Sequence, residues 1–368
     1  MRSWSWLALP RFVSFLKRCT ADGVLLIFLG EMYKDHPMIT FAPSIAKTIC
    51  PSAQFVTQFE HLGLGMRPWQ WRIWTRFFRK VFADWVASSG TDYAYGSLLH
   101  DSDRVIVLSD THKAALANHN AELHKKCVLI PPPPTITICQ GDDEFLKARG
   151  REALGMKEQD FLILYYGYIY PTKGVETLFH AFQAVASRHS QARLIIVGGV
   201  LEHRGGDEFS GGSRSYTEEI HNLPNALGIA DKVTFTGPCP PESAQGSLYL
   251  RASDLCVLPF DGGIHLNNSS FAVAAAHGLP VVTTRGLALE APFLHEENVF
   301  LCPPKDADAL ANAIQTLMIG DELRFRLRTG IQALAREWFS WERAADRIIE
   351  TFGRTHPGIV EGDVGNVI

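Results

Sequence analysis

The chain has 368 residues, of which 46% are hydrophobic and 20% are charged, and its formal net charge at pH 7 is −4. Because a single hydrophobic core stops growing at roughly 250–300 residues, this length predicts two domains. The weak negative charge excludes a general attraction to nucleic acid. No apolar run reaches the roughly 18 residues that are typical of a membrane-spanning helix. The seven cysteines form no CxxC pair, which favours reduced thiols in a cytoplasmic protein over disulfides or a zinc site.

The first third of the chain alternates helical and strand patterns. Residues 4–19 have an amphipathic pattern, and the basic residues within it exclude a signal peptide. The further elements predicted here are a strand over 23–29, a helix over 37–49, a strand over 54–59, a strand over 99–109, a helix over 111–123 and a strand over 126–130. Four consecutive prolines, 131–134, are incompatible with a central strand or a helix interior and predict a linker between domains.

Residues 66–87 are rich in tryptophan, phenylalanine and arginine. On a helix the aromatic residues fall on one arc and the arginines on the opposite arc. In one interpretation, the aromatic arc packs against the N-terminal core and the arginines face water, which is the ordinary arrangement. In the other, the helix makes peripheral contact with the anionic inner face of a membrane. The sequence leaves both open.

From residue 151 onwards, strands and helices alternate. The predicted elements are a strand over 161–166, a helix over 175–188, a strand over 193–197, a helix after the Gly-rich segment 202–215, a strand over 232–235 and a helix over 307–319. This alternation requires a parallel sheet with right-handed crossovers. Glycines at 198–199 and 237 follow two of the strands, at the sheet edge where open α/β proteins bind ligands.

The most informative stretch is 255–284. An apolar run over 255–260 predicts a strand, a polar loop follows, a small-residue segment over 271–277 predicts a helix, and 279–283 predicts a second strand. Exposed amides and the positive end of the helix dipole favour a bound phosphate at the helix start, with Ser269 or Ser270 as the predicted N-cap. The alternative is an ordinary loop-to-helix junction that binds nothing.

Two motifs in this half resemble those of a known family. The sequence PFDGG at 259–263, followed by NSSFAVAAAHGLPVVTT at 268–284, is similar to the donor-binding segment of GT-B glycosyltransferases of family 4. The sequence GYIYPTKG at 167–174 resembles the segment of the same family whose basic residues hold the donor diphosphate. Two motifs in the expected order are more specific than either alone.

The resemblance implies an α/β protein with the GT-B fold, in which two Rossmann-like domains with parallel sheets face each other across a cleft. The expected parts are an acceptor-side domain over 1–133, a linker over 134–150, a nucleotide-sugar donor domain over 151–340, and a C-terminal helix that crosses back with a loose tail over 341–368. Family members carry a further strand, Gly-rich loop, helix and strand before the elements found here. The resemblance therefore implies an N-terminal domain that lacks its first part.

The resemblance also implies a set of donor-binding residues. They are Gly167, Tyr168, Lys173, Gly237, Asp261, Gly262, Gly263, Asn267, Asn268, Ser269 and Ser270. Lys173 is expected to supply a cation for the diphosphate, and Tyr168 stands where the family has an arginine. The other interpretation of Lys173 is a loop lysine that faces solvent.

Three residues are expected to be catalytic. His265 stands where the family has the first of two paired glutamates, while Val273 stands in the place of the second and cannot bind a ribose hydroxyl. Glu60 and His61 follow a strand where the family often has a Thr-x-His-Asp/Glu segment. The alternatives are that His265 is bonded to backbone groups, and that Glu60 and His61 are surface groups at a strand end.

The function implied is transfer of a sugar from a nucleotide-sugar donor to a glycan, lipid-linked or small-molecule acceptor, with retained anomeric configuration and with no metal or cofactor. One alternative is a catalytically silent nucleotide-sugar-binding or scaffold protein derived from such an enzyme. Another is a GT-B nucleotide-sugar epimerase or hydrolase. The expected location is cytoplasmic, with membrane contact through 66–87 as the open addition.

Overall fold

The computed structural model describes residues 6–18, 21–33, 37–60, 98–119, 121–200 and 213–353. Contacts divide the chain into two units. Unit 1 runs to Pro131 and resumes at Ala344, and unit 2 runs from Pro132 to Arg343. The first boundary lies within the run of prolines, which cannot donate to a neighbouring strand.

Unit 1 is built on a parallel sheet of four strands in the order β1-β2-β3-β4. Its strands are β1 (Gly23–Phe28), β2 (Gln54–Phe59), β3 (Arg104–Val107) and β4 (Cys127–Leu129), and its helices are α1 (Leu9–Arg18), α2 (Ala42–Ile49), α3 (Asp110–His119) and α4 (Ala121–Lys126). Phe59 is fully buried and packs edge-on against Phe28, with ring centroids 5.6 Å apart. The side chain at the end of β2 is therefore part of the core.

The predicted strand over 99–109 was too long. Residues 98–101 are helical, and the strand is confined to β3. Residues 100–103 are polar, and the apolar run of this strand begins only at Val105. The helix predicted over 111–123 corresponds to α3 and α4 among the described residues.

Unit 2 is built on a parallel sheet of six strands in the order β10-β9-β8-β5-β6-β7. The strands are β5 (Phe161–Tyr166), β6 (Ala192–Val197), β7 (Val233–Gly237), β8 (Leu255–Leu258), β9 (Val281–Thr284) and β10 (Phe300–Cys302). The helices are α5 (Asp143–Ala153), α6 (Val175–Arg188), α7 (Ser213–Ala226), α8 (Gln245–Ala252), α9 (Ser269–Ala276), α10 (Ala307–Ile319) and α11 (Asp321–Trp338). Every residue of β8 and β9 is buried, as expected for a sheet covered on both faces.

The segment expected to be a linker includes the first residues of α5. Asp142 caps this helix by accepting a hydrogen bond from the N–H of Phe145 at 2.9 Å. Near its end, the buried Arg151 donates to the Asp254 carboxylate at 2.8 Å and to three backbone carbonyls. These bonds attach α5 to the strands of unit 2.

The last described helix, α12 (Trp341–Thr351), is amphipathic. From Ala344 onwards it belongs to unit 1, where Ala344 and Ile348 pack in one cluster with Val56 and Ile106. Among the helices of the described ranges, none combines the length and the apolar character needed to cross a membrane.

Candidate functional site

The sheet of unit 2 changes direction of growth at β5. The chain adds β6 and β7 on one side of β5, and then crosses over to add β8, β9 and β10 on the other side. In open parallel sheets, ligands bind at the carboxyl ends of the strands on either side of such a switch point. Here the two segments at this point are the β5 loop (167–174) and the β8 loop (259–268), which contain both sequence motifs.

The two loops are interlocked at two places. The N–H of Asp261 donates to the carbonyl oxygen of Thr172 at 3.0 Å. Two residues further on, Gly174 lies so close to Pro259 that a β-carbon on Gly174 would overlap the Pro259 carbonyl oxygen. Gly174 also has a φ of +70°, which L side chains disfavour. The position therefore requires glycine for two independent reasons, and the loops form one surface.

The β5 loop meets the start of α9 at its other end. A β-carbon on Gly167 would overlap the hydroxyl oxygen of Ser270, and one on Gly198 would overlap the carbonyl oxygen of Gly167. Because these positions lack side chains, the first turn of α9 approaches the backbone of the β5 loop directly. A ligand at the start of α9 therefore also meets the β5 loop.

Lys173 lies between two aromatic rings of this surface. Its ammonium nitrogen is 4.6 Å from the ring centroid of Phe260 and 4.9 Å from that of Tyr170. Within the described residues, Lys173 forms no ion pair with a carboxylate. Its positive charge therefore lies at the switch point, and no carboxylate of the described ranges neutralises it.

The start of α9 differs from the prediction in its capping residue. The N-cap is Asn268, whereas Ser269 and Ser270 are the first two residues of the helix. The Asn268 side chain does not cap the helix, because its oxygen instead accepts a hydrogen bond from the N–H of His265 at 2.7 Å. Among the hydrogen bonds found in the described ranges, none uses the N–H groups of Ser269 and Ser270 as donors. These amides can meet an anion.

A buried carboxylate is hydrogen-bonded to the backbone of the β8 loop. Glu290 is 5% exposed and accepts a hydrogen bond from the N–H of Leu266. Its other oxygen lies 4.0 Å from Nδ1 of His265, whose side chain is 25% exposed. Sequence reasoning missed Glu290, since it follows a different strand and belongs to neither motif.

The remaining predicted donor residues lie around these groups. Asp261 faces Lys305, with 3.4 Å between carboxylate and ammonium. The backbone of Gly262 and Gly263 packs against Gly286. Tyr168 is largely exposed, Asn267 is partly exposed, and the carbonyl oxygen of Gly237 accepts a hydrogen bond from Gly198. Val273 is fully buried within α9, so it cannot contact a ligand.

Behind α9, His277 forms a hydrogen-bonded chain in the core. Its Nδ1 donates to the carbonyl oxygen of Val273 at 2.7 Å, which leaves Nε2 as the acceptor for the Ser247 hydroxyl at 2.8 Å. Ser247 in turn accepts from the N–H of Cys139 at 2.9 Å. Burial lowers the pKa of His277 to about 4, so the imidazole is neutral at pH 7.

Two of the three predicted catalytic groups belong to unit 1. Glu60 is described, and its carboxylate accepts a hydrogen bond from the Gln58 amide at 2.6 Å. His61 and the segment 66–87 lie outside the described residues. The structure therefore brings together the predicted residues of the β5 and β8 loops and of α9, and gives no geometry that joins them to His61.

Comparison with known proteins assigns most of unit 2 to a family. Residues 160–319 match the family described as Glycosyl transferases group 1. The chain carries a group 1 glycosyltransferase domain. This domain contains the β5 loop, the β8 loop and α9, so the interlocked surface belongs to the part that defines the family.

Curated relatives of the domain are glycosyltransferases. The chain is 28% identical over 262 residues to a D-inositol 3-phosphate glycosyltransferase of Segniliparus rotundus, which covers 70% of this chain and 53% of the relative. It is 30% identical over 209 residues to the enzyme of the same name from Thermomonospora curvata, which covers 55% of this chain and 45% of the relative. The chain thus spans about half the length of these curated relatives.

Solved structures share the fold. Anabaena HepE in complex with UDP and glucose superimposes with a TM-score of 0.65 and 18% identity, covering 95% of this chain and 83% of that chain. Sucrose-phosphate synthase from Thermosynechococcus elongatus gives a TM-score of 0.63 and 21% identity, and the match covers 94% of this chain and 78% of that chain. The two parallel sheets of this chain are those of the GT-B fold.

Proposed function

We propose that this chain is a glycosyltransferase that moves a sugar from a nucleoside diphosphate donor to a glycan, lipid-linked or small-molecule acceptor. One observation carries the proposal: the β5 and β8 loops bring the ammonium group of Lys173, which pairs with no carboxylate among the described residues, to the same surface as the amides at the start of α9. A diphosphate is the group that this combination suits, since helix N-termini and cations both favour phosphate.

The same groups account for the chemistry. When the bond between the sugar and the diphosphate breaks, negative charge accumulates on the leaving phosphate. Preorganised amides and a fixed cation stabilise this charge more strongly than they stabilise the neutral parts of the donor, and so they lower the barrier. Lys173 supplies the cation, and Ser269 and Ser270 supply amides. Neutralisation of the leaving group by these residues, without a metal ion, and retention of anomeric configuration are parts of the proposal.

His265 and Glu290 form the neighbouring part of the site in this proposal. The N–H of His265 donates to Asn268, which fixes the backbone of His265. The Glu290 carboxylate lies 4.0 Å from Nδ1 of the imidazole. In the proposal, this imidazole contacts the transferred sugar. Glu60 and His61 are proposed for the acceptor side, as the resemblance implies. The glycosyltransferase names of the relatives and the UDP and UDP-glucose complexes of HepE support a nucleotide-sugar donor.

Calorimetric titration with UDP, GDP, ADP, CDP and dTDP, followed by incubation with the matching nucleotide sugars, tests the proposal. We expect one diphosphate to bind and its sugar to be released slowly to water in the absence of acceptor. Binding without turnover indicates a silent nucleotide-sugar-binding protein, and formation of an epimer indicates an epimerase. If the folded protein binds none of the five diphosphates, the proposed donor site is wrong.

A further inference from the structure

The environment of the Lys173 ammonium is unusual for a cation that meets phosphate. The ammonium lies over the faces of Phe260 and Tyr170, at 4.6 and 4.9 Å from the ring centroids. The face of an aromatic ring carries the negative part of a quadrupole, so both rings attract the ammonium. Neither ring carries a net charge, so neither cancels the charge of the lysine.

The rings are themselves held in place by backbone bonds. The N–H of Phe260 donates to Leu258 at 3.0 Å, and the carbonyl oxygen of Phe260 accepts from the N–H of Gly263 at 3.1 Å and from the Thr284 hydroxyl. Phe260 is only 5% exposed. Its ring therefore has little freedom to move away from the lysine.

Tyr170 is tied to Lys173 by the local backbone. The N–H of Lys173 donates to the carbonyl oxygen of Tyr170 at 3.1 Å, which closes a turn over 170–173. The residue inside this turn, Thr172, has a φ of +82°, which is uncommon for a residue with a side chain. The turn and the interlock with Asp261 together bring one ring from each loop within 5 Å of one ammonium group.

From this geometry we infer that Phe260 and Tyr170 are positioning residues, which order the flexible lysine side chain for an anionic ligand without competing for its charge. A carboxylate in their place would order the lysine equally well, but it would also occupy the hydrogen bonds that a phosphate needs. The inference rests on the proposed function, since it concerns the diphosphate of the same donor. It assigns part of the diphosphate affinity to two side chains that act on the ligand through the lysine.

The experiment measures affinity for the diphosphate from the five-member panel that binds the wild type most tightly, and for the corresponding uncharged nucleoside. Phe260→Leu removes the ring and keeps an apolar side chain. We expect it to weaken diphosphate binding about fivefold and to leave nucleoside binding unchanged. In a protein that already carries Lys173→Ala, adding Phe260→Leu is expected to cause no further loss, because the interaction that it removes is absent.

Tyr170 provides a second, less buried test. Tyr170→Phe retains the ring face and is expected to bind the diphosphate as the wild type does, whereas Tyr170→Leu is expected to bind it less tightly. Phe179→Leu, at a fully buried phenylalanine in α6, controls for general loss of core packing. Melting curves of each variant establish that it is folded.

Several outcomes would overturn the inference. They are an equal loss of nucleoside and diphosphate affinity in Phe260→Leu, the same loss with and without Lys173→Ala, or equal losses in Tyr170→Phe and Tyr170→Leu. These results would contradict the inference about the two rings but would leave the proposed donor site unaffected. Failure of the wild type to bind any of the five diphosphates removes both.

Discussion

The N–H of Asp261 donates to the carbonyl oxygen of Thr172 at 3.0 Å, across the point where the sheet of unit 2 reverses its direction of growth. This bond joins the two loops that carry the family motifs. It places Lys173, the next residue, against Phe260, the preceding residue of the other loop. The backbone thus determines where the cation of the proposed donor site lies.

The close approach of Gly174 to Pro259 is the most sensitive point of this interlock. Gly174→Ala adds a β-carbon where the Pro259 carbonyl oxygen lies and also meets an unfavourable positive φ. We expect a loss of about 3 kcal/mol in the free energy of unfolding, together with loss of diphosphate binding. Urea denaturation and calorimetry measure the two effects.

Gly155 offers a matched control for Gly174. It has a φ of +66°, but its β-carbon would meet no atom within 4 Å. Gly155→Ala should therefore cost only the backbone strain, about 1 kcal/mol, with normal diphosphate binding. Equal costs for the two alanine variants would show that the contact with Pro259 contributes nothing.

Lys173 is expected to carry most of the charge-dependent affinity. Lys173→Ala should weaken diphosphate binding more than tenfold, which is about 1.4 kcal/mol, and should reduce its dependence on salt. Lys125→Ala, at a lysine 71% exposed and paired with Glu122, is the control, and it should change neither quantity. An unchanged affinity in Lys173→Ala would assign the diphosphate to other residues.

Asn268 is expected to shape the β8 loop and not to cap α9. Asn268→Ala removes the acceptor for the His265 N–H and should cost about 1 kcal/mol in the free energy of unfolding, with weaker donor binding. Asn268→Asp keeps an acceptor oxygen and should retain the stability. The prediction fails if Asn268→Asp and Asn268→Ala are equally destabilised in urea.

The buried His277 predicts a dependence of stability on pH. Burial lowers its pKa in the folded protein to about 4 from an ordinary value of 6.5, so the unfolded chain takes up a proton at a higher pH than the folded chain. Stability is therefore fully present above pH 6.5 and is lost as the pH falls towards 4. The loss amounts to about 3 kcal/mol below pH 4.

Urea midpoints between pH 7.5 and 4 measure this loss. The glutamine of His277→Gln does not titrate. The stability of this variant should therefore change less steeply with pH than that of the wild type. Parallel pH profiles for the two proteins would mean that other groups cause the acid sensitivity.

The alternating pattern of the second half was enough to predict the parallel sheet and the strand, loop, helix and strand over 255–284. These elements follow from local periodicity, which is visible in a single sequence. The N-cap was wrong because two residues with good capping side chains follow Asn268, whose own side chain bonds to His265 instead. That choice depends on the conformation of the whole loop, which local propensity does not contain.

The contacts that Lys173 and His265 make could not be predicted from the motifs. Phe260 was assigned to an apolar strand, and its ring faces the lysine only because the β5 and β8 loops interlock. Glu290 reaches His265 from beyond β9. Contacts of this kind arise between segments distant in the chain, and one sequence without its relatives gives no measure of them.

The contact of Gly198 with Gly167, and of Gly167 with Ser270, has a consequence for how this domain can diversify. Gly198 meets the backbone of Gly167, and Gly167 meets the hydroxyl of Ser270, so a larger residue at either glycine would displace the next segment. Tolerated substitutions are therefore expected at more exposed positions, such as Tyr168 and Asn267, while both glycines are retained.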